Sequence, residues 1–154
     1  LDFPLLFFVK FFKNHGLLSV NNRPQWRVIE GGSRSYLEPL TAQLKTKGVQ
    51  THIETSGAYE LSGTWDWICL SPKKMKLPTE KVYEKAHELK CIIYNKDDFR
   101  FAEEQAEKVN KDCILYLQPE WSKRDKVVPQ IVDYVMANPK WKVSLQTHKY
   151  LNIP

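Results

Sequence analysis

Short apolar runs alternate with segments of helical periodicity along most of this chain, and this alternation constrains its fold more than any other feature. Helices are predicted at Tyr36–Lys47, Thr79–Glu88, Asp97–Val109 and Lys126–Ala137, and strands at Val49–Glu54, Asp66–Leu70, Leu89–Tyr94, Cys113–Gln118 and Lys142–Gln146. Strands separated by helices form βα units, which build a mostly parallel sheet. The strands are rich in Val, Ile, Leu and Cys, which is typical of a sheet covered on both faces.

The predicted fold is an α/β sheet of about five strands with flanking helices. So few strands cannot close a regular eight-stranded barrel, so the sheet is either doubly wound or an incomplete, open βα barrel. Residues 1–40 differ from the rest because they are aromatic and rich in turn residues. They predict a short helix over residues 5–12 and a strand at Trp26–Ile29, and we expect a boundary between this segment and a βα domain at residues 41–154.

Composition excludes several classes of protein. The chain has 154 residues, of which 42% are hydrophobic and 27% charged, as expected for one globular domain. The net charge of +5 is spread along the sequence, and we predict no nucleic-acid partner. The apolar run Leu5–Val9 is too short to span a bilayer, and we predict no membrane partner. The cysteines, Cys69, Cys91 and Cys113, lack chelate spacing, which indicates small buried residues in a cytoplasmic protein.

Polar side chains follow every predicted strand at its carboxyl end. These endings are Glu54-Thr55-Ser56-Gly57, Ser71-Pro72-Lys73, Tyr94-Asn95-Lys96, Gln118-Pro119-Glu120 and Gln146-Thr147-His148. Because the loops after parallel strands converge on one edge of the sheet, the sequence predicts a ligand site there. Ordinary helix capping is the alternative explanation for Ser56 and Ser71.

Four single residues need separate interpretation. Glu54 either binds a ligand or pairs with a lysine, because a buried, unpaired carboxylate would be costly. His148 either binds a ligand or lies on a surface loop. His52 falls in mid-strand and is predicted to lie in the core or against a helix, whereas His87 is predicted to lie on the surface of a helix.

Four stretches carry a resemblance to a known family. They are KGVQTHIETSGAYELSGTWDWICLSPKK (47–74), LKCIIYNKDDF (89–99), CILYLQPEWSK (113–123) and VSLQTHKYLNIP (143–154). These stretches closely resemble the C-terminal half of the 7-carboxy-7-deazaguanine synthases, radical S-adenosylmethionine enzymes of queuosine biosynthesis. The resemblance implies an incomplete βα barrel and a homodimer. It also implies conversion of a 6-carboxy-tetrahydropterin to 7-carboxy-7-deazaguanine, with S-adenosylmethionine, a [4Fe-4S] cluster and Mg2+.

The resemblance also implies roles for individual residues. S-adenosylmethionine would be bound by Glu54, Ser56, Ser71, Lys73 and Gln118, and the pterin by His148 and the terminal carboxylate of Pro154. Two departures from the family stand beside these roles. The cysteine triad that binds the cluster and the ligand for Mg2+ have no counterpart in this sequence, and the GGEP run is interrupted between Gly31-Gly32 and Glu38-Pro39. We therefore expect this chain by itself not to turn over.

Residues 1–40 resemble an internal segment of FAD-dependent amine-oxidoreductase-like proteins, although they contain no flavin-binding glycine loop. The first residue is not Met, and the two resemblances meet near residues 38–42, so we expect a fragment, a processed chain or a chimera. Two alternatives to the synthase-derived function stay open. The chain could be a fragment of an FAD-dependent oxidoreductase, or a non-catalytic binding or scaffold module.

Overall fold

The computed structural model describes residues 34–153. Its helices are α1 (Arg34–Thr46), α2 (Glu80–Lys85), α3 (Asp97–Ala106), α4 (Arg124–Ala137) and α5 (Thr147–Tyr150), and its strands are β1 (His52–Thr55), β2 (Trp67–Leu70), β3 (Glu88–Ile93), β4 (Ile114–Pro119) and β5 (Trp141–Val143). A 3-10 turn at Trp121–Lys123 precedes α4. The helix predicted over residues 5–12 and the strand predicted at Trp26–Ile29 lie outside the described residues, and the division at residue 40 stays a prediction.

The five strands form one parallel sheet in the order β1-β2-β3-β4-β5. Each strand pairs with the strand that precedes it in the chain, so the order never reverses. A doubly wound sheet would reverse its strand order at a switch point. The predicted open α/β sheet is therefore confirmed, and of its two forms the structure shows the incomplete βα barrel.

The hydrophobic core lies between one face of this sheet and helices α2, α3 and α4. Leu89, Cys91 and Ile93 alternate along β3, and each is at most 1% exposed. On the neighbouring strands, Leu70 and Leu117 are 0% exposed and pair in register with β3. Because alternate residues of a strand point to opposite faces, the residues between these buried ones lie on the face of the sheet opposite to the core.

The opposite face, which we call the polar face, carries Glu54, Cys69, Glu88, Lys90 and Gln118. Glu54 pairs in register with Cys69 and Cys69 with Glu88, so these three form one row across the sheet. Along β3, half-buried and buried residues alternate strictly. The prediction of apolar packing on both faces therefore fails at the central strand, where Glu88 and Lys90 precede Ile92 on the face opposite to the core.

Strand β1 starts at His52 rather than at the predicted Val49. The cause is Asp66, whose carboxylate accepts hydrogen bonds from the backbone N–H of Thr51 (2.9 Å) and from its hydroxyl (3.0 Å). These bonds lower the pKa of Asp66. The Thr51 carbonyl accepts from the backbone N–H groups of Asp66 (3.0 Å) and Trp67 (3.1 Å), but the Thr51 N–H is taken by a side chain, so the regular ladder begins at the next residue.

Candidate functional site

Glu54 lies near the carboxyl end of β1 and forms an ion pair with Lys90 of β3. Glu54 Oε2 and Lys90 Nζ are 2.7 Å apart, and the side chains are 59% and 13% exposed respectively. The pair reaches across β2, which separates the two strands in the sheet. Glu54 therefore pairs with a lysine, as one interpretation predicted, and its carboxylate still faces solvent, as ligand binding requires.

The turn after β1 is fixed by Gly57. Its φ is +70°, and a Cβ atom there would lie 2.6 Å from Leu70 Cδ1 and 2.9 Å from Pro78 Cβ. The Gly57 N–H donates to Thr55 Oγ1 (3.1 Å), and the Gly57 carbonyl accepts from the Thr79 N–H (2.9 Å). Half-buried Ser56 is held inside this turn, so its position depends on a residue without a side chain.

Ser71 and Lys73 lie together at the end of β2. The Ser71 N–H donates to the carbonyl of Thr55 (2.7 Å), which joins this loop to the end of β1. Ser71 is 3% exposed, and its hydroxyl accepts a hydrogen bond from Lys73 Nζ at 3.3 Å. The structure thus brings Ser56, Ser71 and Lys73 to neighbouring loops at the same edge of the sheet.

The loop after β3 is held by a buried carboxylate. Asp98 accepts hydrogen bonds from the backbone N–H groups of Tyr94 (2.7 Å) and Asn95 (2.8 Å), and it forms an ion pair with Lys74. Burial by itself would raise the pKa of Asp98, but Lys74 and the two N–H groups outweigh it and lower that pKa. Asp98 therefore ties the lysine-rich loop after β2 to the loop after β3.

Gln118 lies on β4 and is 7% exposed. Its Oε1 accepts a hydrogen bond from the Ser144 hydroxyl at 3.2 Å, which links it to the residue after β5. Gln118 and Glu54 share the polar face, separated in the sheet by β2 and β3. The carboxyl edge therefore displays a cation, a carboxylate and an amide from three strands or the loops that follow them.

His148 is exposed and lies on α5, the short helix at the end of the described chain. The rings of Trp121 and Tyr150 meet edge to face, with centroids 5.0 Å apart, and Lys149 Nζ lies 5.3 Å from the Trp121 ring centroid. These contacts fasten α5 to the turn that follows β4. Pro154 lies outside the described residues, so its predicted role stays a prediction.

The interpretations of two histidines are corrected. His52 is exposed rather than in the core or against a helix, and its ring stacks on that of Trp67 at 6.1 Å between centroids. His87 is exposed, as predicted, but lies between α2 and β3 rather than on a helix. Its Nδ1 accepts a hydrogen bond from the Ile68 N–H (3.1 Å), and its backbone joins β2 to β4 through its own N–H and carbonyl.

Two residues that the sequence reasoning passed over contribute to this edge, namely Lys90 and Trp121. The alternation of polar and apolar residues in Glu88–Ile93 was a signal that could have placed Lys90 on the open face. Trp121 had no such signal, because its partner Tyr150 is distant in the sequence and the last helix was not predicted.

Concave surface is found at both ends of the sheet. A cavity of about 600 Å3 lies at the amino ends of the strands, where Trp65, Trp67, His87 and Asp112 contribute to its wall. At the carboxyl edge a cavity of about 410 Å3 is lined by residues of the β3–α3 loop and of α4, including Tyr94, Asn95 and Gln130.

The three cysteines are buried and unpaired, as predicted. Burial raises the pKa of Cys69 and of Cys91 to about 12 and that of Cys113 to about 11. Burial therefore disfavours the thiolate form, which is the form that binds a cluster. Among residues 34–153 no three His, Cys, Asp or Glu side chains are arranged to hold a metal ion, and residues 1–33 contain no cysteine. Nor does any helix in that described range have the length and apolar character to cross a bilayer.

Fold and site together define a class of protein: an open, parallel α/β sheet with a candidate ligand site at the carboxyl ends of its strands. Over 115 residues, 75% of this chain, it is 70% identical to the 7-carboxy-7-deazaguanine synthase of Flavobacterium psychrophilum, of which it covers 55%. It is 44% identical over 137 residues to the synthase of Synechocystis sp., covering 88% of this chain and 65% of that protein. Most of this chain is therefore homologous to the 7-carboxy-7-deazaguanine synthases.

The solved structures agree with this relationship. The crystal structure of QueE from Escherichia coli matches with a TM-score of 0.58 and 25% identity, over 71% of this chain and 50% of that one. No family model matches the sequence. This chain spans about half to two-thirds of the length of these relatives. The predicted resemblance of residues 1–40 to FAD-dependent amine-oxidoreductase-like proteins finds no support in these comparisons.

Proposed function

We propose that this chain forms the ligand-binding sheet of a cytoplasmic 7-carboxy-7-deazaguanine synthase. Such an enzyme converts a 6-carboxy-tetrahydropterin to 7-carboxy-7-deazaguanine with loss of ammonia, in 7-deazapurine and queuosine biosynthesis. The observation that carries the proposal is the 70% identity over 115 residues. The polar strand endings at one edge of an open sheet support it, because ligands of α/β proteins bind at that edge.

S-adenosylmethionine is the first ligand of this proposal. It carries a positive sulfonium and ammonium group, a carboxylate and ribose hydroxyls. The exposed carboxylate of Glu54 would accept from its cationic or hydroxyl groups, and the ammonium of Lys73 would pair with its carboxylate. Uncharged hydrogen-bonding groups would come from Ser56, Ser71 and Gln118.

The residues that the structure describes, 34–153, do not fit the cluster itself or Mg2+. The cysteines are buried and lie on β2, on β3 and just before β4, and the described residues hold no group suited to a metal ion. We expect the 154-residue chain to bind its ligands without turning them over.

The pterin is the second ligand of the proposal. His148 is exposed at the carboxyl edge, where its imidazole would donate to or accept from the polar edge of a pterin ring. The terminal carboxylate of Pro154 would pair with the donors of that ring. A homodimer completes the proposal, because an open sheet leaves unpaired backbone groups at its edge.

Isothermal titration of the 154-residue chain with S-adenosylmethionine and with 6-carboxy-tetrahydropterin tests the proposed function. We expect heat of binding for each ligand and weaker S-adenosylmethionine binding by Glu54→Gln. A chain that folds but binds neither ligand would support the scaffold alternative, and flavin absorbance in the purified protein would support the FAD alternative. Production of 5′-deoxyadenosine after iron reconstitution would contradict the expected lack of turnover.

A further inference from the structure

Lys90 is an unusual lysine in this sheet because most of its side chain is buried. It lies on β3, the middle strand, and its side chain is 13% exposed. Lysine side chains are seldom buried unless their charge is paired. Its Nζ lies 2.7 Å from Glu54 Oε2, so its partner is a residue of the proposed ligand site.

Lys90 pairs with Glu54 although another carboxylate, that of Glu88, lies on the same strand as Lys90. Glu88 lies two residues before Lys90, on the same face. Its two oxygens accept hydrogen bonds from Cys69 Sγ and from Trp67 Nε1, each at 3.3 Å. Burial raises the pKa of the Cys69 thiol to about 12, so the thiol is neutral and donates. Glu88 is thus satisfied locally, and Lys90 extends across β2 to Glu54.

We propose that Lys90 is the positioning residue for Glu54: it holds Oε2 and leaves Oε1 directed to the ligand at the carboxyl edge of the sheet. This inference rests on the proposed function, since it assumes that Glu54 binds S-adenosylmethionine. Without the lysine, the Glu54 side chain, which is 59% exposed, would rotate freely in solvent. The ligand would then have to order that side chain on binding, and this ordering costs free energy.

Four variants separate positioning from a general loss of charge or of structure. Lys90→Met removes the charge and keeps the length of the side chain, whereas Lys90→Arg keeps the charge. Lys142→Met is the matched control, because Lys90 and Lys142 both pair in register with Tyr116 and so occupy one row of the polar face. Glu54→Gln, alone and combined with Lys90→Met, completes a double-mutant cycle.

The measurement is the dissociation constant of S-adenosylmethionine for each full-length variant, with the thermal midpoint recorded to show that each one folds. We expect Lys90→Met to weaken binding about tenfold, and Lys90→Arg and Lys142→Met to weaken it less than about threefold. Because Lys90 acts through Glu54, adding Lys90→Met to Glu54→Gln should change the constant by less than about twofold.

The other possible results of these titrations would contradict the positioning role of Lys90 or the proposed function. If the unchanged chain and Lys90→Met bind equally well, the positioning role is overturned while the proposed function stands. A further large loss in the double variant would mean that Lys90 acts independently of Glu54, which also overturns it, as would equal losses in Lys90→Arg and Lys90→Met. If the unchanged chain binds no S-adenosylmethionine, the proposed function fails and this inference fails with it.

Discussion

The indole ring of Trp121 meets the phenol ring of Tyr150 edge to face, with the ring planes 83° apart. Arg124 adds to this contact, since its guanidinium lies 4.3 Å from the Trp121 ring centroid and donates to the Trp121 carbonyl at 3.0 Å. Helix α5 contains no buried residue, and the half-buried ring of Trp121 joins it to the turn that follows β4. The helix that carries His148 depends on this contact.

Replacing Trp121 by Leu should therefore loosen α5 without unfolding the sheet. Aromatic pairs contribute about 0.5–1.5 kcal/mol beyond the area that they bury. We expect hydrogen exchange to accelerate at the α5 amides of Lys149 and Leu151, while the amides of β3 keep their protection. Tyr150→Phe keeps the ring and should leave exchange unchanged. Unaltered protection of α5 in Trp121→Leu would show that other contacts hold this helix.

Gly57→Ala should destabilise the fold far more than Gly48→Ala, although both glycines have a φ of +70°. A methyl group at Gly57 meets Leu70 and Pro78 within 3 Å, whereas a methyl group at Gly48 meets nothing within 4 Å. The common backbone strain costs about 1 kcal/mol, and the clash at Gly57 adds about 1–3 kcal/mol. Urea unfolding measures the free energy of unfolding of each variant and of the unchanged protein. Equal losses would show that the turn after β1 relaxes around the new side chain.

Asp98 should make stability depend on pH. Its folded pKa is lowered, so the folded state binds fewer protons and is stabilised above the unfolded pKa, which is about 4 for Asp. That contribution disappears as the pH falls through the folded value. Asp98→Asn should therefore cost about 2 kcal/mol at pH 7, and the cost should shrink toward pH 3. The exposed neighbour Asp97→Asn is the control, and a pH-independent cost for Asp98→Asn would contradict the assignment.

The alternation of strands and helices along the chain and the parallel sheet could be predicted because both depend on local periodicity. The order of the strands within the sheet could not, because periodicity alone left the doubly wound sheet and the open barrel as alternatives. The sequence Glu88–Ile93 also indicates which face of β3 packs against the core, because Glu88 and Lys90 alternate with buried apolar residues. The high apolar content of this strand hides that alternation. The structural role of His87 could not have been predicted, because its backbone bonds to residues of β2 and β4, and no local sequence pattern shows such partners.

The side-chain partners at the candidate site could likewise be predicted only in part, because they depend on contacts between distant segments. The expectation that Glu54 binds a ligand or pairs with a lysine rested on the cost of burying a carboxylate, but the Glu54 side chain is 59% exposed. Which lysine it would pair with depended on the register of β1, β2 and β3, which sequence spacing does not determine. The contact of Trp121 with Tyr150 likewise required the position of α5, a helix of four residues that is too short to show a periodicity.

The end of the chain provides the last prediction, which concerns the pterin. If His148 and the Pro154 carboxylate hold this ligand, a short peptide added after Pro154 replaces the carboxylate with a neutral amide and moves the charge away. A charge-assisted hydrogen bond contributes about 1.5–3 kcal/mol, so pterin binding should weaken roughly ten- to a hundredfold. His148→Ala should cause a comparable loss. The same peptide added before Leu1 is the control, because it lengthens the chain equally and leaves the Pro154 carboxylate in place. Pterin titrations that give one affinity for all four proteins would rule out this role for the C-terminal end of the chain.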